Sequence, residues 1–465
     1  MKKTSMSQGP QVNVNDNKGQ FYLFSKRRFL PFFITQFLGA LNDNLFKNAL
    51  LVIVVSTAVN SADSNTNFIT NLAAGLFILP FFLFSTMAGH LADRFDKAYL
   101  IRRIKFAEII LMLIGCFSLW QANTNLMLGV LFLLGVQSAF FGPIKYAIIP
   151  QHVSDNELLA ANAQVGMGTF VSILLGTLIG GWLVTEPQGS IQLGALIILV
   201  AIVGWLSSCQ IPNAPPEKPA NEQQLLFNPI RETAFNYSLA KRNKTVLYCI
   251  FSSSWFWLYG ACFLTQVPNF SVAILGGDPK LISILLGSFI IGVAMGALCC
   301  NRLSRGQVEP GLVPIGALGL SLFAIDLYFS STYYAAINTS GSSILPMVFL
   351  SMGSGLRILA DLLFIGLFGG LFIVPIYAMI QRNTDGKTRA RVLSVNNIFN
   401  ALFMVSGSLL GMLFLSILGW SIPKFFLLLA LLNLAFMGTI FYREPVFIQG
   451  FKRWANIKHP NNSNF

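Results

Sequence analysis

Apolar runs separated by short polar breaks fill the chain from residue 29 to residue 442. About 20 helical residues, at ~1.5 Å each, cross the ~30 Å hydrocarbon core of a bilayer. Runs of that length are predicted at 29–57, 70–92, 97–120, 125–149, 157–184, 191–211, 246–274, 281–303, 311–332, 358–380, 391–417 and 420–442. The expected fold class is therefore an all-α membrane protein with twelve transmembrane helices. Residues 344–352, ahead of the Gly353, Ser354, Gly355 break, are too few for a span and are expected to lie on or dip into the outer face.

An even number of spans returns both termini to one side, and the basic residues say which. Lys26, Arg27 and Arg28, then Arg94, Lys97, Arg102 and Arg103, Lys241, Arg242 and Lys244, Arg382, Lys387 and Arg389, and finally Arg443, Lys452 and Arg453 all fall on that side. Lys and Arg gather in cytoplasmic loops, so both termini are expected to be cytoplasmic. Residues 212–244 begin PNAPPEKPANEQQ, a Pro-rich linker, and continue as a possible short amphipathic helix. The organisation expected is a tail (1–28), a six-helix bundle (29–211), a linker (212–245), a second six-helix bundle (246–442) and a tail (443–465). FGPIKYAIIPQ at 141–151 and FIVPIYAMIQ at 372–381 close corresponding spans, so the halves read as repeats. Two repeated bundles of six suit rocking about a central midplane site.

Composition agrees with a membrane protein: 11% of the 465 residues are charged, where about 25% is usual. The net charge of +13 forms no single patch that could track phosphates, so nucleic acid is not an expected partner. All six cysteines fall in or beside apolar runs without a CxxC and are read as buried small residues, with no metal or disulfide role. No cofactor is expected.

One stretch breaks the apolar rule. GALNDNLFKNAL, residues 39–50, puts Asn42, Asp43, Asn44, Lys47 and Asn48 inside the first span. An ionisable group near the bilayer centre costs on the order of 3 kcal/mol even on lenient scales, so the seam needs a reason. Asp43 and Lys47, four apart, share a helix face and can pair, or Asp43 can serve a cavity. Asp43 and Asn44 are the cavity candidates; Lys47 and Asn48, nearer the outer edge, are read as support. Arg357 and Asp361, also four apart, are read as an interfacial structural pair.

GHLADRFDKAYLIRR, residues 89–103, resembles the signature loop of the major facilitator superfamily. Gly89 permits close helix packing, Asp93 can sit at the positive end of a neighbouring helix, and Arg94 faces the cytoplasm. The resemblance implies that Asp93 braces span two against span eleven. GALCCNRLSR at 296–305 is a degraded copy without the aspartate.

QFLGALNDNLFKNAL, FFGPIKYAIIPQ, SWFWLYGACFLTQVPNF at 254–270 and the segment from Pro375 to Gln381 together resemble the lysophospholipid transporter branch of that superfamily. The match is closest to the transporter portion of bacterial fusions with acyltransferase and acyl-carrier-protein synthetase domains. It implies a flippase of the bacterial inner membrane that moves lysophosphatidylethanolamine and lysophosphatidylglycerol from outer to inner leaflet, with a possible functional link to such enzymes. By resemblance Asp43 is a cavity aspartate and Lys145 the basic residue for the phosphate. Lys145 also lies close enough to the end of its span to snorkel. Asn162, Gln266 and Asn396 complete the candidate substrate-binding set, with Asn162 and Asn396 also placed to bridge or cap helices. Gly260 stands where some relatives carry arginine, which removes one expected phosphate contact.

A proton-coupled small-molecule transporter is the competing expectation, with Asp43 as the proton site. A membrane acyltransferase is not expected: His followed five positions on by Asp is absent, since Phe95, Glu157 and Asn464 follow His90, His152 and His459 at that spacing.

Overall fold

A computed structural model describes residues 21–61, 66–217, 228–304, 306–338 and 344–458. The helices of the first half are α1 (Leu30–Ser61), α2 (Thr66–Arg94), α3 (Lys97–Trp120), α4 (Thr124–His152), α5 (Leu158–Leu183) and α6 (Gly189–Ser208). After the linker, part of which lies outside the described residues, come α7 (Pro229–Lys241), α8 (Lys244–Ala273), α9 (Pro279–Leu303) and α10 (Leu312–Ile337). The chain ends with α11 (Pro346–Ser351), α12 (Gly353–Arg382), α13 (Arg389–Gly411), α14 (Ile422–Arg443) and α15 (Val446–Lys458).

Among the described residues, 11 helices are long and apolar enough to cross a membrane. α3 makes the twelfth spanning segment. Its 24 residues suffice in length, and its charges Lys105 and Glu108 are buried against its own bundle, so they face no lipid. Short polar caps start the helices where a loop must turn back into the membrane. Asp96, Asn123, Asn243 and Asp278 each accept a backbone N–H of the first turn, satisfying one of the donors a helix start leaves open.

The helices pack as two bundles. α1 lies on α5 and α6, α2 on α4, and α3 on α6 and α4; α8 lies on α13, α12 on α9 and α10, and α10 on α14. Lipid supplies no hydrophobic force between helices, so close backbone approach must hold them. α9 and α12 achieve this with four glycines. A Cβ on Gly292 or Gly296 would run into the α12 backbone at Leu363 or Leu367, and one on Gly366 or Gly370 into the α9 backbone at Phe289 or Val293.

Several elements differ from the sequence reading. The segment after α10 is a six-residue helix, α11, with Ile344 bridged to Gly277, and α12 begins at Gly353 itself, because a helix start tolerates the Gly-Ser-Gly that an interior would not. The tail after α14 is not featureless: α15 is amphipathic, with Phe447 buried, Gly450 against Gly311, and Trp454 Nε1 donating to Leu303 O at 2.9 Å. Cys209, read as buried, is exposed at the end of α6.

Candidate functional site

The α1 seam folds into two polar stations. Gln36 and Asp43 lie seven residues apart on α1, and Ser138 and Lys145 lie seven apart on α4. Seven residues are nearly two turns, so each pair shares one helix face with its members about 10 Å apart. The helices run in opposite directions, which sets Asp43 beside Ser138 and Gln36 beside the Lys145 level.

At the first station Ser138 Oγ donates to Asp43 Oδ2 at 2.6 Å, while Asp43 Oδ1 is buried with no hydrogen-bond partner. No ion pair joins Asp43 to Lys47 among the described residues. The Lys47 ammonium lies 5.9 Å from the centre of the Phe77 ring, so the i, i+4 pairing read from sequence gives way to partners on other helices. Behind Asp43 is a group that the sequence reading missed. Lys105 Nζ donates to Glu108 Oε2 at 2.5 Å, both residues being 1% exposed. Glu108 also accepts from Gln137 Nε2 at 2.8 Å and Asn42 Nδ2 at 3.2 Å. Gly39 makes room for this pair, since a Cβ there would collide with Lys105 Nζ.

At the second station Lys145 Nζ donates to Thr169 Oγ1 at 2.8 Å, and Thr169 donates to Gln36 Oε1 at 3.0 Å. Lys145 is 8% exposed and its ammonium stands 5.3 Å from the Tyr146 ring centre. It is bonded across the bundle interior. The snorkelling alternative would send it to the helix end.

Directly beyond Lys145, the two halves close on each other. Tyr146 of α4 stacks on Tyr377 of α12 with ring centroids 4.2 Å apart and planes 7° apart. Asn162 and Gln381 exchange amide hydrogen bonds at 2.6 and 3.1 Å, and Gln381 also donates to Tyr146 O at 3.0 Å. A cavity of about 20 Å³ lined by Tyr146, Asn162, Thr169, Trp257 and Tyr377 has room for roughly one water. Phe170 meets Phe256 and Trp257, at 6.2 and 6.0 Å, as the layer above.

Asp93 ties the same end. Its carboxylate accepts Ala390 N at 3.1 Å, Arg391 N at 3.2 Å and Arg391 Nε at 3.3 Å, at the start of α13. Free N–H groups and the helix dipole make that terminus an anion site. Gly89 lets α2 approach, because a Cβ would sit 2.8 Å from Ala390 O and 2.9 Å from Ser394. Arg94 is exposed. These contacts between halves all lie toward the end that carries α7, so the halves are shut there. On α8, Gly260 has nothing within 4 Å of a Cβ.

The other candidates are dispersed. Asn44 Nδ2 donates back to Ala40 O at 2.8 Å within α1, with Gly176 of α5 packed against its Cβ. Asn396 is fully buried and neither amide atom has a hydrogen-bond partner. Gln266 is half-buried near Gly411. No hydrogen bond joins Asp43, Lys145, Gln266 and Asn396 to one another among the described residues.

Comparison with known proteins agrees with this architecture. Residues 32–360 match the family described as Major Facilitator Superfamily. The lysophospholipid transporter LplT of Klebsiella pneumoniae is 25% identical over 77% of this chain and 86% of its own, and that of Escherichia coli strain SE11 is 24% identical over 78% and 83%. In fold, the chain resembles the transporter FucP in its outward conformation, with a TM-score of 0.63 at 14% identity, covering 92% of this chain and 99% of that one. It also resembles a bacterial homologue of the iron transporter ferroportin, with a TM-score of 0.61 at 16% identity over 90% and 99%. This chain belongs to the major facilitator superfamily.

Proposed function

We propose that this protein carries lysophospholipids across a bacterial cytoplasmic membrane by alternating access, moving them from outer to inner leaflet without changing them chemically. In this reading the end carrying α7 is cytoplasmic and is closed here, leaving the path open from outside. The names of the curated relatives support the substrate class. The observation that carries the reading is the two-station arrangement between α1 and α4. A head with an ammonium and a phosphate needs a carboxylate and a cation, and this face offers Asp43, with Oδ1 unclaimed, and Lys145.

Asp43 receives the ammonium first; Lys145, next to the tyrosine stack, then holds the phosphate until the gate opens. Asn162 acts in the gate through Gln381 in place of touching the lipid. The acyl chain stays against lipid-facing apolar surface, so the binding cavity need hold only the head. A neighbouring acyltransferase or acyl-carrier-protein synthetase would then re-acylate the delivered lipid.

The test is transport of a head-group-labelled lysophospholipid into vesicles containing the purified protein. Asp43→Asn and Lys145→Met are each expected to slow it about tenfold or more, in line with loss of one charged contact. Normal rates in either folded variant would remove that residue from the site. Proton-driven uptake of a soluble solute with no lipid movement would overturn the lipid reading altogether.

A further inference from the structure

The charged pair that sequence spacing offers in the second half, Arg357 with Asp361, does not form; Arg357 pairs with Asp326 of α10 instead, as an exposed link between neighbouring helices. The pair on α3, Lys105 with Glu108, is different in kind. Both residues are 1% exposed, and what they touch lies on the two helices that carry the stations.

Glu108 accepts from Asn42 Nδ2 of α1 and from Gln137 Nε2 of α4, the chain neighbours of Asp43 and Ser138. Consecutive helical residues point about 100° apart, so on each helix one residue faces α3 while the next faces the path. Lys105 repeats the pattern one turn on. It fills the space that Gly39 leaves on α1 and stands 5.1 Å from the centre of the Phe141 ring on α4. Gly39 lies three residues from Gln36 and four from Asp43, and Phe141 three from Ser138 and four from Lys145. The pair therefore sits level with the middle of the path, behind its wall.

Apart from the bond between Ser138 and Asp43, little else fixes that wall. α1 packs mainly on α5 and α6, and α4 on α2 and α3, so the spacing of α1 and α4 is left largely to polar side chains. A carboxylate suits this task. It has no donor and takes several N–H groups at once, whereas an amide at position 108 would turn its own NH2 toward that of Gln137 or of Asn42. The Lys105 ammonium cancels its charge, so the pair can stay out of water without competing with Asp43 or Lys145 for a charged head.

We propose that Glu108, charge-balanced by Lys105, is a positioning residue of the lipid path: it sets α1 against α4 so that Asp43 and Lys145 meet the head at a fixed separation, and it does not touch the lipid. This inference rests on the reading of Asp43 and Lys145 as head-group stations.

Two variants test it without stranding a charge. Gln137→Leu cuts α4 from the clamp and leaves Glu108 with Lys105 and Asn42; Lys105→Met with Glu108→Gln removes both charges together. Each is expected to melt in detergent close to the parent. Each should nevertheless raise the KM for transport of head-group-labelled lysophosphatidylethanolamine about tenfold, with the maximal rate within about twofold of the parent, the pattern of lost binding. The register is read separately from transport. With Asp43→Cys and Ser138→Cys in a Cys209→Ala background, a short bis-methanethiosulfonate should bridge α1 to α4, and should do so about tenfold more slowly once Gln137→Leu is added. A parent-like KM in both variants, or bridging that Gln137→Leu leaves unslowed, overturns the clamp. So does a fall in maximal rate at unchanged KM, which would move the pair to the gate, or a large loss of melting temperature in both variants, which would make it a support of the fold alone. A parent that moves no lysophospholipid, with bridging still slowed by Gln137→Leu, would overturn the transport reading and leave Glu108 as the residue that sets α1 against α4.

Discussion

Glu108 answers to three donors, from Lys105, Gln137 and Asn42, on three different helices. Removing one member of a fully buried ion pair leaves the other charge stranded, at a cost of about 3–5 kcal/mol, whereas neutralising both is often harmless. Glu108→Ala should therefore lower the thermal unfolding midpoint in detergent by many degrees, while Lys105→Met combined with Glu108→Gln should recover most of it. An unchanged midpoint in Glu108→Ala would mean that the pair is solvated. The i, i+3 spacing of Lys105 and Glu108 is visible in the apolar run 97–120. Their burial is not, because it depends on Asn42 and Gln137 arriving from elsewhere and on Gly39 having no side chain. Likewise Arg357 and Asp326, separated by 31 positions, meet only once α10 and α12 pack.

Helix ends decide how the halves hold together. The Asp93 carboxylate at the start of α13 combines charge with two backbone N–H groups, and such an interaction is worth up to about 2 kcal/mol in a partly buried setting. Asp93→Asn removes the charge, and Gly89→Leu wedges α2 from α13. Each should open the linker end, so that a cysteine placed at Asn397, which packs on Gly142 across the seam, is alkylated about tenfold faster. Alkylation no faster than in the parent would show that Asp93 does not hold this end shut. The signature loop made Asp93 legible, since glycine, aspartate and arginine at that spacing already suggest a helix-end contact. α15 was harder to see: with 13 residues it is too short for a span, and its apolar face gains meaning only from Gly311 and Leu303, which it covers.

Across the whole molecule, the repeated closing segments of the two halves meet face to face. Tyr146 and Tyr377 occupy corresponding places in FGPIKYAIIPQ and FIVPIYAMIQ, and they stack. The repeat was readable in the sequence, but which conformation it closes was not, since both access states use the same residues. If the contact must break in each cycle, a reducible cross-link between cysteines at Asn162 and Gln381 should stop lipid transport, and reduction should restore it. The exposed Cys209 is best replaced by alanine first. Full transport with the cross-link in place would mean that this seam is not a gate.

The seven-residue spacing of the two stations also acts as a ruler. A phosphoethanolamine head carries its two charges across a two-carbon bridge, far less than the roughly 10 Å of helix rise that separates the level of Asp43 from that of Lys145. On the proposed path such a head would release one partner before it reached the other, and so would not be held by both. If the two stations bind lipid as proposed, a head long enough to span them would be held where a short one is passed along, and head length alone would sort the lipids carried.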